Sequence, residues 1–216
     1  MKRFEIVTEA DARVLEHGST ILLVPGGHVT PLAQDTLRAR RITVLRDSVF
    51  SSGTDIELAG LAPVAEIRTV AVAGDHTSLA LKAAIVHYLR GRGVAAHDLG
   101  TATSETVDYP DTAATAAIQV ARGEADAGVV IDGAGLGSCI AANKVDGVRA
   151  AMCTTETLAR YARQHNGANV LALGSTLVST EEALAILTVF LESPMREARY
   201  IRRLAKVRAL ETRGRV

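Results

Sequence analysis

The chain has 216 residues, 24 Lys and Arg balanced by 24 Asp and Glu, two cysteines and no tryptophan, and 48% of its residues are hydrophobic. At roughly 100–200 residues per domain this is one domain or one plus a small appendage, and a net charge of zero argues against nucleic acid, whose counterions are displaced by a basic surplus. No apolar run approaches the roughly 18–20 residues of a membrane span, charges stand where a signal peptide would be apolar, and Cys139 and Cys153 read as reduced thiols, which together point to a cytoplasmic protein.

In chain order, residues 1–48 form a small α+β unit. Residues 4–7 have the pattern of a strand, Thr8 with Asp11 resembles a capping box, and residues 20–24 make a second strand stopped by Pro25-Gly26-Gly27. Thr30-Pro31 has the chemistry of a helix start, the helix runs to about Arg40, and residues 42–45 are a third strand. So small a unit is expected to dock on the main domain, on a second subunit or on another protein. Residues 49–66 lack periodicity and read as a linker. From residue 67 to 216, strands at 68–73, 94–99, 127–131, 148–152 and 170–173 alternate with helices at 78–92, 111–122, 138–144, 155–165, 180–192 and 195–211. The pattern predicts a Rossmann-like three-layer α/β/α sandwich around a five-stranded parallel sheet, with ligands at the carboxyl ends of the strands.

Four groups of residues carry possible chemistry. Gly74-Asp75-His76 follows the first main strand, where Asp75 alone could be a helix cap but His76 is not needed for one. Asp132-Gly133-Ala134-Gly135-Leu136-Gly137-Ser138 follows an apolar strand, and its three glycines let backbone N–H groups line a concavity suited to a phosphate or oxyanion. Ser138 stands where a dinucleotide fingerprint needs its third glycine; with Glu156 placed near a ribose-binding distance, a nucleotide-binding module stays a further reading. His165 and Asn166 end a helix ahead of a strand, where dipole and termination chemistry alone would account for them. Arg196, Arg199 and Arg203 are spaced to share one helix face and grip a dianion, although a solvated surface gives the same spacing. Together the four groups describe a site for a phosphorylated small molecule. No His, Cys, Asp and Glu cluster has metal-ligand spacing, so neither metal nor cofactor is expected.

The segments GDH (74–76), DLGT (98–101), VDYPD (107–111), GEADAG (123–128), IAANKVDGVRAA (140–151) and RQHNGANVLALGS (163–175), with Arg199 and Arg203 four residues apart, resemble in collinear order the ribose-5-phosphate isomerase B and galactose-6-phosphate isomerase family. The resemblance covers residues 68–210. It implies an aldose–ketose isomerase of the ribose 5-phosphate/ribulose 5-phosphate type that works through an enediolate, as a dimer or tetramer with active sites between subunits. Carried over by position, Asp75 and His76 contact the sugar and phosphate, Tyr109 lines the pocket, His165 assists ring opening beside Asn166, and Arg199 and Arg203 bind the phosphate. The N–H groups of Gly133, Ala134, Gly135, Gly137 and Ser138 would stabilise the enediolate.

The departures lie at the reacting centre. Many members keep a base cysteine where this chain has Asp132 and a threonine where it has Ala134; another branch has a glutamate just after the glycine loop, where Ser138 stands here. Thr176 replaces an arginine that often follows the Gly-Ser pair. Asp132 is therefore expected to be the proton-transfer base, with Cys139 pointing toward the core. The alternative is a noncatalytic sugar-phosphate-binding or assembly subunit; the A-type subunit of galactose-6-phosphate isomerase is similar in having Asp near this point. The pattern TEADAR followed by GGHVTPLAQDTLRAR resembles leader segments of bacterial microcompartment enzymes, including the ethanolamine-utilisation cobalamin adenosyltransferase, and implies docking or targeting by residues 1–48, with His28 in a structural or interfacial role.

Overall fold

The alternation of strands and helices closes into two sheets. A computed structural model describes residues 2–46, 62–64 and 66–212, so most of the expected linker lies outside the described residues. In the first unit, β1 (Arg3–Val7), α1 (Glu9–Val14), β2 (Thr20–Val29), α2 (Pro31–Ala39) and β3 (Thr43–Arg46) form a sheet in the order β1-β2-β3, all strands parallel. Its helices and strands thus alternate, making it a small β-α-β-α-β unit. The caps are those the sequence predicts: Thr8 and Asp11 hydrogen-bond reciprocally in a capping box, and the Thr30 hydroxyl accepts from Ala33 N–H ahead of Pro31.

The sequence predicts that Pro25-Gly26-Gly27 ends β2, but the strand runs on to Val29. Leu23 pairs with Phe4 and His28 with Ile6, so residues 24–27 bulge opposite Glu5 and the strand then resumes to Val29. Gly27 makes this possible, since a Cβ there would lie 2.8 Å from the Glu5 carbonyl oxygen.

The second sheet contains β4 (Thr69–Gly74), β5 (Ala95–Gly100), β6 (Ala127–Asp132), β7 (Ala150–Met152) and β8 (Val170–Gly174) in the parallel order β5-β4-β6-β8-β7. The intervening helices are α3 (Leu79–Gly91), α4 (Tyr109–Ala121), α5 (Leu136–Ala142), α6 (Glu156–Asn166) and α7 (Thr180–Glu192), and α8 (Ala198–Thr212) closes the chain. Side chains alternate along each strand and build two cores. Val70, Val72, Val129, Ile131, Leu171 and Leu173 meet α3, α6 and α7, whereas Ala71, Ala73, Val130, Val170 and Ala172 meet the alanines of α4 and Ala142 of α5. The expected α/β/α sandwich is the observed one. Among the boundaries that differ, α4 starts at Tyr109 because Pro110 is tolerated in a first turn, and α8 starts at Ala198, after the buried Met195.

The chain leaves β4 for β5 on one side and crosses to β6 on the other, so the loops after β4 and β6 diverge at the switch point of the sheet. The first sheet covers its inner face with α1 and α2 through Val7, Ile21, Leu23, Ala33 and Leu37. Its outer face, carrying Leu22 and Leu45, packs on Met195, Ile201 and Leu204 at and before α8. Of the expected docking surfaces, then, the described contact is with the chain's own C-terminal helix.

Candidate active site

Asp132 ends β6 and is 5% exposed. Its Oδ1 accepts hydrogen bonds from the N–H groups of Ala134 and Gly135, and its Oδ2 accepts from Ser138 N–H at 2.7 Å. Gly135 can turn this way because it sits in the left-handed region at φ 75° and passes within 2.7 Å, measured from a would-be Cβ, of the Leu173 backbone. These bonds start α5 at Leu136, two residues earlier than its expected first residue, Ser138. Burial pushes the Asp132 pKa up, but the Ser138 hydroxyl and the N–H groups of Ser138, Gly135 and Ala134 outweigh it, and the group lies below the ordinary carboxylate value. Three of the N–H groups expected to face an enediolate therefore face Asp132 instead.

The neighbouring β4–α3 loop is held by Asp75, whose Oδ1 accepts from Thr77 N–H at 2.9 Å and from the Thr77 hydroxyl at 2.6 Å. His76 accepts the Val107 N–H on Nδ1 at 3.3 Å, which leaves Nε2 as the protonated, donating nitrogen. Thr77 Oγ1 lies 3.8 Å from the Cβ position of Gly133, so the two loops face each other across the switch point. Tyr109 lies against the glycine loop, its ring 2.5 Å from where a Gly137 Cβ would be, so this position admits only glycine while the ring stays. Thr176 donates its hydroxyl to the Gly133 carbonyl oxygen at 2.6 Å and braces the loop from β8's side. Cys139 donates its thiol to the Ala150 carbonyl oxygen at 3.4 Å, and burial raises its pKa.

The remaining expected residues lie at the opposite edge of the sheet. His165 and Asn166 end α6 just before β8 begins at Val170, whereas Asp132 pairs with Gly174 at β8's far end. The four steps of about 3.3 Å along the five residues of β8 separate the two edges by roughly 13 Å. The His165 ring is stacked between Tyr161, with centroids 4.6 Å apart, and Tyr200 at 4.4 Å. Arg199 and Arg203 both lie over the Tyr200 ring, at 4.7 and 5.7 Å from its centroid. Arg199 also pairs with Glu197 at 2.6 Å, which leaves Arg203 as the one of the two that lines a cleft of about 510 Å³ with His165, Asn166, Asn143 and Arg149. Arg196 precedes α8 and does not join them on its face.

Three residues without an expected role hold this cleft together. Arg149 donates Nε–H to the Gly167 carbonyl oxygen at 2.7 Å, fixing the turn after Asn166. Arg163, 1% exposed, donates to the carbonyl oxygens of Ala168 and Val64, and burial takes its pKa down to about 10. Gly167, at φ 59°, has Leu204 within 2.7 Å of its would-be Cβ, so the His165 turn rests directly on α8. Tyr161 and His165, four apart on one helix, were legible as a stacking pair; the contact of Tyr200 joins separate elements and left no local signal. Among the described residues, no cluster of His, Cys, Asp and Glu is placed to hold a metal, and no helix is long and apolar enough to cross a membrane.

Residues 70–207 match the family model described as Ribose/Galactose Isomerase. Ribose-5-phosphate isomerase B of Escherichia coli K12 is 42% identical over 147 residues, covering 68% of this chain and 99% of the relative. Among solved structures, the Clostridium thermocellum ribose-5-phosphate isomerase B is 42% identical with a TM-score of 0.66, covering 67% of this chain and 97% of its own. The Mycoplasma genitalium ribose-5-phosphate isomerase B with bound ribulose-5-phosphate is 38% identical with a TM-score of 0.65, covering 68% of this chain and 97% of its own. The chain belongs to the ribose/galactose isomerase family of sugar-phosphate isomerases.

Proposed function

We propose that the protein interconverts an aldose phosphate and a ketose phosphate of four to six carbons, of the ribose 5-phosphate/ribulose 5-phosphate type, through an enediolate. The observation that carries this reading is Asp132, an ionised carboxylate at the switch point of a family fold. Two backbone N–H donors occupy Oδ1 and one occupies Oδ2, so Oδ2 is the oxygen with fewer backbone donors and takes the C2 proton of the open-chain sugar and returns it to C1. The hydroxyl proton moves from O2 to O1 in the same interconversion, with His76 Nε2–H as a nearby donor.

Only a second copy brings the other half. His165, Asn166 and Arg203 stand at the amino edge of the sheet, the opposite edge from Asp132 within one chain. A dimer or tetramer with sites between subunits unites the halves: the cleft cations take the phosphate and His165 assists ring opening. Leu136 and Ile140, 57% and 63% exposed on α5 beside the glycine loop, supply an apolar surface for that contact. Residues 1–48 would serve docking or targeting in a cytoplasmic microcompartment, a reading carried by their resemblance to such leader segments.

A second reading, a sugar-phosphate-binding subunit without turnover, is favoured by one observation: the depressed pKa of Asp132 weakens it as a base. Deuterium incorporation at C1 or C2 of sugar phosphates in D₂O, followed by NMR, separates the two. Exchange by the wild type that vanishes in Asp132→Asn supports the isomerase; binding without exchange across the panel sinks it.

A further inference from the structure

We infer that the seam between the two sheets is a second binding site, for a phosphorylated small molecule other than the substrate of the isomerase site. A cleft of about 900 Å³ runs between the α2–β3 corner and the segment that leads into α8. It is lined by Arg38, Arg41, Arg68, Arg196 and His17. Arg41 and Arg68 share a single carboxylate, Glu66, at 2.5 and 3.2 Å. The other acids of the wall, Glu192 and Glu197, are ion-paired with Arg92 and Arg199, which do not line it. Arg38 and Arg196 have no carboxylate partner among the described residues. The cleft thus gathers guanidinium groups in excess of the carboxylates left to neutralise them, which is the chemistry of a phosphate grip.

The backbone shapes one corner of the cleft. Arg41 is the non-glycine residue with positive φ among the described residues, at 55°, directly after the C-cap of α2. Glycine is the ordinary occupant of such a position, and an arginine there holds the chain in a disfavoured well. The conformation closes α2 in a Schellman turn, with Arg41 N–H donating to the Arg38 carbonyl oxygen at 3.1 Å and Ile42 N–H to that of Leu37 at 2.8 Å. Val29, Val44 and Pro194 supply an apolar floor on which the organic part of a ligand rests. Pro194, Arg196 and Glu197 lead straight into the helix that carries Arg199 and Arg203, so occupancy of the seam bears on the isomerase half-site.

The test uses the full chain and inorganic pyrophosphate, titrated by calorimetry. The wild type is expected to bind at two classes of site per chain. Arg203→Ala should lose the class at the amino-edge cleft and keep the other, whereas Arg38→Ala with Arg196→Ala should weaken the seam class at least tenfold and leave deuterium exchange on the sugar phosphate intact. Arg38→Lys with Arg196→Lys, which keeps the charge, should retain seam binding and guards against a folding artefact. A single class of site per chain, or two classes that the Arg38 and Arg196 substitutions leave unchanged, overturns the proposal.

Discussion

The two edges of the main sheet carry opposite kinds of machinery. At the carboxyl edge, Asp132 is fixed by hydrogen bonds from its own following loop, within seven residues of chain. At the amino edge, His165 is fixed by aromatic stacking between α6 and α8, and α8 is in turn seated on the N-terminal sheet through Leu22 and Leu45. The first half is local and polar; the second is long-range and apolar. On the proposed function, chemistry that depends on the charge of one group would thereby be separated from phosphate binding that depends on where a helix lies.

The difference predicts different failures. Asp132→Asn should reduce proton exchange roughly 10²–10⁴-fold, the range for loss of a general base, while binding of the sugar phosphate persists. It should also alter acid stability. The folded pKa of Asp132 is depressed, so its contribution is present above the unfolded value near 3.9 and is lost as pH falls through the folded value; urea titrations of wild type and variant should differ at pH 7 and converge in acid. Leu204→Ala, at a residue 3% exposed between Leu22 and Gly167, should cost about 2–5 kcal/mol and weaken substrate binding along with the fold, measured by denaturation and KM. The same substitution should leave the carboxyl-edge loop unaltered.

Smaller effects sharpen the contrast. Arg203→Ala should lower kcat/KM about 100-fold, mainly through KM, if a charged contact of about 2–3 kcal/mol is lost. Tyr161→Leu removes one stacking face of His165 and should cost about 0.5–1.5 kcal/mol, seen by chemical denaturation with Asp132 chemistry unchanged. An equal loss of exchange and binding in all these variants would show that the two edges do not act separately.

Much of this was legible in the sequence, for physical reasons that vary by element. Short apolar strands between alanine-rich helices announced the sheet because burial on both faces leaves no polar positions. Thr8 and Thr30 announced helix starts because capping is a local bond. Pro25-Gly26-Gly27 misled because a bulge and a turn use the same residues, and only pairing with β1 distinguishes them. Asp132 was legible as a site, but the direction of its neighbours' N–H groups depends on the left-handed Gly135. The separation of His165 from Asp132 follows from strand direction alone, since one precedes β8 and the other ends β6. The seating of α8 on the first sheet carried no such signal, because it joins residues about 180 positions apart along the chain.

The central claim, a site made of one chain's carboxyl edge and another's amino edge, is tested most directly by co-expressing Asp132→Asn with Arg203→Ala. Each variant alone should be nearly inactive at limiting substrate. In a randomly mixed two-fold oligomer, about a quarter of the sites combine an intact half from each chain, so roughly that share of wild-type activity should return. A mixed oligomer that stays as inactive as its parents would contradict the account.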